Sequence, residues 1–237
     1  MAKGKSAGGR RDKTAADWDG IVAALETWRQ DSRADTEPGD PSVTTVAERH
    51  RRDPWAVLSS TILSLRTKDE VTLVRSQALL GKAPTPQKLL SLSTEEIEKL
   101  IYPVGFYHTK ARNLQKIAAI LVDAYQGQVP SDMEALLSLP GVGRKTANLT
   151  LTEGFDMDGI CVDVHVHRIT NRLGALRSKT PEETEMLLRE ILPKKYWKRI
   201  NLLLVLYGQR VCRPVSPFCS RCVLARHCER AGVERSR

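Results

Sequence analysis

Four of the five cysteines in this 237-residue chain, Cys212, Cys219, Cys222 and Cys228, fall in one stretch spaced C-x6-C-x2-C-x5-C. Crowded thiols of this kind read as metal ligands rather than as a disulfide framework. The chain is large enough to build a core without staples, and it shows no secretory segment. Four sulfurs suit a tetrahedral zinc ion, which usually takes two C-x2-C knuckles, or an iron-sulfur cluster, whose corners lie farther apart. Only one knuckle is present, so the spacing favours iron-sulfur ligation and leaves zinc as the rival.

A second constellation is Leu139-Pro140-Gly141-Val142-Gly143-Arg144-Lys145-Thr146-Ala147. Two glycines around one small apolar residue allow a tight turn, and the helix that follows turns its positive end to an anion. Gly141, Val142, Gly143 and Arg144 are therefore candidate phosphate contacts, against the plainer reading of a glycine-rich connector between helices. Lys145 falls in the first helical turn, where an ammonium is disfavoured. An amine relieved of its proton is a nucleophile; a lysine that simply holds phosphate is the competing reading.

The elements that must carry these residues are mostly helical. Trp18, Ile21, Val22, Leu25 and Trp28 recur at helical spacing, Pro38 to Pro41 forms a turn-rich joint, and Asp53-Pro54 reads as a cap with proline at the first helical position. Capping-box patterns stand at Thr67 with Glu70, Ser93 with Glu96, Ser131 with Glu134 and Thr180 with Glu183. Val162, Val164 and Val166 alternate as in a strand, yet Val166, Ile169, Leu173 and Leu176 also suit one face of a helix; the pattern leaves both open. Net charge is +9 and the pI near 9.5, pointing to a polyanionic partner or an anionic membrane surface. Residues 1–16 hold +4 of that charge and read as a disordered arm. No stretch is apolar enough to cross a bilayer, and a reducing cytoplasmic or nucleoid setting is expected.

Together these motifs resemble the endonuclease III family of helix-hairpin-helix DNA glycosylases. The resemblance runs from about Trp18 to the last cysteine and includes the hairpin, Val162-Asp163-Val164-His165-Val166-His167-Arg168 and the cysteine run, in the family's order. It implies an all-α, two-domain enzyme of base excision repair. A six-helix barrel domain would span 47–157, an iron-sulfur cluster domain 18–46 and 158–237, and a basic arm 1–17. It implies a [4Fe-4S] cluster on the four cysteines and a helix that starts at Asp163. Lys145 would attack the sugar C1′ of a damaged nucleotide, with Asp163 as its carboxylate partner. The expected partner is double-stranded DNA containing damaged pyrimidines or abasic sites, bound by a monomer, with no membrane involved.

This chain departs from the family's pattern in three places. Arg66 stands where a wedge loop usually offers glutamine to the orphaned base, and Phe106 where a second wedge loop often has leucine. An arginine still hydrogen-bonds or stacks on a base, and an aromatic intercalates. The loop between Cys212 and Cys219 offers Arg213 as its one cation, so a weak DNA contact is expected there. Cys161 reads as a buried small hydrophobe, and no chemistry is assigned to His50, His108, His165, His167 or His227.

Overall fold

The computed structural model describes residues 16–34 and 40–237. Most of the expected basic arm and part of the Pro38 to Pro41 joint lie outside the described residues. Among the described residues the secondary structure is helical, with no strand.

Helix α1 (Trp18–Ala34) buries Trp18, Ile21, Val22 and Leu25, the stripe read from the sequence. It packs on α12 (Trp197–Arg210), where Trp28 meets Tyr207 edge to face with centroids 4.8 Å apart. Helix α2 (Ser42–Arg49) precedes α3 (Pro54–Ser64), which Asp53 caps by accepting the Ala56 N–H at 2.8 Å. Residues 55–63 of α3 are all buried, so its hydroxyls must find partners inside. Ser59, Ser60 and Thr61 donate back to carbonyls of the preceding turn. Around this central helix lie α4 (Asp69–Lys82), α5 (Pro86–Leu90), α6 (Thr94–Ile101), α7 (Tyr107–Tyr125), α8 (Met133–Ser138) and α9 (Arg144–Leu149).

The cap patterns fared differently from one another. Ser93 and Glu96 form a full reciprocal box, and Thr180 accepts the Glu183 N–H at 3.1 Å. At α8 the cap is Asp132 rather than Ser131. At α4 the cap residue is Lys68, without a side-chain bond, because the Thr67 hydroxyl is engaged by another loop.

Two large apolar cores result among the described residues, beside a small cluster of Val43, Ala47 and Val57. The first runs from Val46 to Leu151 and includes Leu58, Leu63, Leu114 and Leu121. The second joins α1 to Ile160, Val162, α10 (Val164–Leu173), α11 (Pro181–Ile191) and α12. Chain that begins in the second core thus leaves it, builds the first, and returns through the segment after a π-helical turn at Thr150–Gly154.

Candidate functional site

The hairpin joins α8 to α9. Gly141 has φ +78°, a backbone that favours glycine, and a Cβ there would also displace the Asn113 amide, 2.5 Å away. Val142 is buried in the first core and anchors the turn. Gly143 is exposed and has an ordinary φ of −100°, and a Cβ on it would meet nothing within 4 Å. Its bareness leaves open space for something from outside.

Lys145 follows in the first turn of α9 and is half-buried. Its carbonyl faces the Cys161 thiol at 3.8 Å, and the Cys161 carbonyl accepts from Asn201 Nδ2 at 3.1 Å. Burial pushes the Cys161 thiol far up, consistent with a small core hydrophobe. Asp163 comes two residues later and caps α10, its Oδ1 accepting the His165 and Val166 N–H groups at 2.8 and 2.9 Å. The segment is a helix: Val166, Ile169 and Leu173 form its buried face, while Val164 is 65% exposed.

Lys145 and Asp163 line one cleft of about 550 Å3 between the two cores, together with Arg66, Arg144, Asp69, His165, Glu185 and Gln209. Asp69 ties the walls, accepting from the Ser42 hydroxyl at 2.7 Å and Gln209 Nε2 at 3.0 Å. His165 sits beside Asp163 with Nδ1 3.0 Å from Arg168 Nη2, and burial lowers its pKa. Phe106 does not line the cleft. It is 63% exposed, with the Arg66 guanidinium 5.5 Å over its ring.

Arg144 is placed differently from a free phosphate ligand. Its fork grips Glu185 at 2.7 and 3.0 Å, and Arg189 holds the same carboxylate at 2.9 Å. The Glu185 partnership raises Arg144 further from deprotonation. Burial works to raise Glu185, but the two guanidiniums outweigh it and hold the carboxyl below its usual range. Glu185 and His165 were missed in the sequence: a carboxylate 41 residues away gives no local sign that it meets Arg144.

The cysteines form the other site. All five are unpaired thiols. Cys212, Cys222 and Cys228 pack on the second core, and the four clustered sulfurs influence one another electrostatically. Donors point at them: Tyr207 Oη to Cys222 at 3.0 Å, Arg172 Nη1 to Cys212 at 3.4 Å and the Arg230 N–H to Cys228 at 3.4 Å. Sulfurs so surrounded suit thiolate ligands. Among the described residues no three His, Cys, Asp or Glu side chains converge closely enough for a single metal ion.

Helices, hairpin and cleft together meet one class of protein: the model of the HhH-GPD superfamily of base excision DNA repair proteins matches residues 59–194. Endonuclease III of Thermotoga maritima is 48% identical over 177 residues, covering 75% of this chain and 83% of that protein. Endonuclease III homolog 1, chloroplastic, of Arabidopsis thaliana is 39% identical over 230 residues, and this chain spans 92% of itself but 60% of the plant protein. Among solved structures, a trapped endonuclease III–DNA covalent intermediate with an estranged adenine aligns with a TM-score of 0.75 at 33% identity. That alignment covers 90% of this chain and 95% of the other. The chain belongs to the endonuclease III family and is a DNA glycosylase of base excision repair.

Proposed function

We propose that this chain removes oxidised pyrimidines of the thymine glycol type from duplex DNA and then cuts the strand, with Lys145 as nucleophile and Asp163 as its partner. The observation that carries the reading is that these two residues, Lys145 on the helix that buries Ala147 in the first core and Asp163 between Val162 and Val166 of the second, line the same cleft. Lys145 Nζ bonds to C1′ as the C1′–N bond breaks, and the base departs with the bonding electrons and takes a proton from water. The Asp163 carboxylate stabilises the positive charge that develops on the sugar and helps move protons from the amine. Opening of the C1′–O4′ bond gives an iminium, O4′ taking a proton from Nζ. The iminium acidifies C2′–H, and loss of that proton expels the 3′ phosphate by β-elimination. The nucleotide must first leave the stack; Arg66 and Phe106 are assigned to the gap it leaves.

The four thiolates are assigned to a [4Fe-4S] cluster, which hydrolysis of an N-glycosidic bond does not use for electron transfer. Its ligands pin the C-terminal segment to the second core. The test of the activity is borohydride reduction during reaction with duplexes carrying thymine glycol or an abasic site. The wild type is expected to form a covalent adduct and Lys145→Ala none. An adduct persisting in Lys145→Ala, or none in the wild type, would remove Lys145 from its role.

A further inference from the structure

Arg66 and Phe106 come from separate loops, one between α3 and α4 and the other between α6 and α7. Both have left-handed backbones, with φ of 54° and 59°, a region that is strained for a residue other than glycine. Something must hold both turns in that state and side by side. Beneath them lies Lys110, in the first turns of α7 and 6% exposed. Its Nζ donates to the Leu63 carbonyl at 2.9 Å, the Leu65 carbonyl at 2.5 Å and Thr67 Oγ1 at 3.3 Å.

These three acceptors use the ammonium's full set of donors, and they sit at or just past the C-terminal end of α3, where free carbonyls favour a cation. Thr67 Oγ1 also accepts the Gly105 N–H at 3.1 Å, directly before Phe106. Gly105 has no room for a side chain, since a Cβ would lie 2.5 Å from the Arg66 carbonyl oxygen. The two loops therefore touch backbone to backbone, with Lys110 and Thr67 as the fastening. Burial pulls the Lys110 pKa down to about 8, which still leaves it protonated at pH 7.

We propose that Lys110 is the positioning residue of the base-extruding wedge: its buried ammonium fastens the Arg66 loop to the Phe106 loop and thereby sets the stacked pair at the mouth of the cleft. This rests on the assignment of Arg66 and Phe106 to the vacated gap. Lys110 lines no part of the cleft. A lysine that only supported the fold would weaken every activity alike. A positioning lysine weakens the steps that need a base pair opened.

The experiment uses the full chain at pH 7 with Lys110→Met, Lys110→Arg and Thr67→Val, the last removing the bridging hydroxyl should Lys110→Met fail to fold. Three quantities are read: the single-turnover rate on duplex thymine glycol, borohydride trapping at a single-stranded abasic site, and the fluorescence rise of 2-aminopurine opposite the lesion in a Lys145→Ala background. Lys110→Met is expected to slow the duplex rate about a hundredfold and to abolish the fluorescence rise, with trapping on the single strand within about twofold. Lys110→Arg recovers part of the duplex rate. Duplex and single-strand activities falling together, or a duplex rate and fluorescence rise unchanged in folded Lys110→Met or Thr67→Val, would overturn the proposal. The double variant Arg66→Ala/Phe106→Ala separates the two ideas: if it leaves duplex rate and fluorescence intact, the wedge assignment itself is wrong. If it loses both while folded Lys110→Met keeps both, Lys110 alone is misassigned.

Discussion

A carboxylate with 3% of its side chain exposed must be paired or protonated, and Glu185 is paired twice, with Arg144 and Arg189. The pair joins α9 of the first core to α11 of the second, directly beside Lys145. Removing one partner of such a pair strands the other, so Glu185→Gln is expected to cost about 3 kcal/mol by denaturant unfolding at pH 7, the low end of the range because the guanidiniums reach solvent. The sign with pH follows from the lowered pKa. Glu185 contributes fully above the ordinary carboxylate value of about 4.3 and loses its contribution as pH falls through the lower folded value. The stability gap between wild type and Glu185→Gln should hold steady from pH 6 to 8 and shrink below pH about 4; a gap that widens on acidification contradicts the pairing. None of this was legible in the sequence, which offered Arg144 as a phosphate ligand, because a fork committed to a distant carboxylate looks the same in one dimension as a free one.

At the scale of elements, α10 carries two demands at one residue. Asp163 is its cap, through two N–H groups, and the proposed partner of Lys145. Asparagine caps about as well as aspartate but brings no charge. Asp163→Asn should therefore melt within a degree or two of the wild type while its single-turnover glycosylase rate falls about a hundredfold or more; a rate near wild type would leave Asp163 with the cap alone. The helix itself was ambiguous beforehand because Val162, Val164 and Val166 alternate. The alternation is incidental: Val164 is at the first helical position, exposed, and takes no part in the core that Val166 joins. Where a pattern was satisfied within a few residues, as at Asp53 with Ala56 or Ser93 with Glu96, the sequence reading carried through. It failed at Ser131, where the neighbouring Asp132 takes the cap, and where a partner arrived from far along the chain. Thr67 is drawn from its capping box by Gly105, and Lys110 finds its acceptors at the end of α3 and in the loop after it, some 43 to 47 residues earlier.

The whole molecule divides its tasks between two cores joined across the cleft by polar ties, among them Asp69 to Gln209 and Arg144 to Glu185. The first core surrounds α3 and is closed by apolar packing and buried hydrogen bonds such as those of Lys110. The second leaves its C-terminal segment, from Cys212 onward, in short turns with no α-helix, and such a segment buries too little to order itself. Arg168 and Arg172 of α10 hold its beginning through carbonyls of Cys212, Arg213 and Pro214, and the four thiolates are assigned to pin the rest. Metal removal should then act locally. Hydrogen exchange on protein stripped of metal under anaerobic conditions is expected to speed up over residues 212–228 and at the end of α10, while amides of α3 and α7 keep their protection. Iron and sulfide in the native protein, at about four atoms each per chain, accompany that result. Protection lost equally in both cores would mean that the metal supports the entire fold, and zinc in place of iron would return the cysteines to their rival reading. Either way the first core, with its hairpin and the fastened wedge loops, owes its shape to packing and hydrogen bonds in which none of the four clustered cysteines takes part.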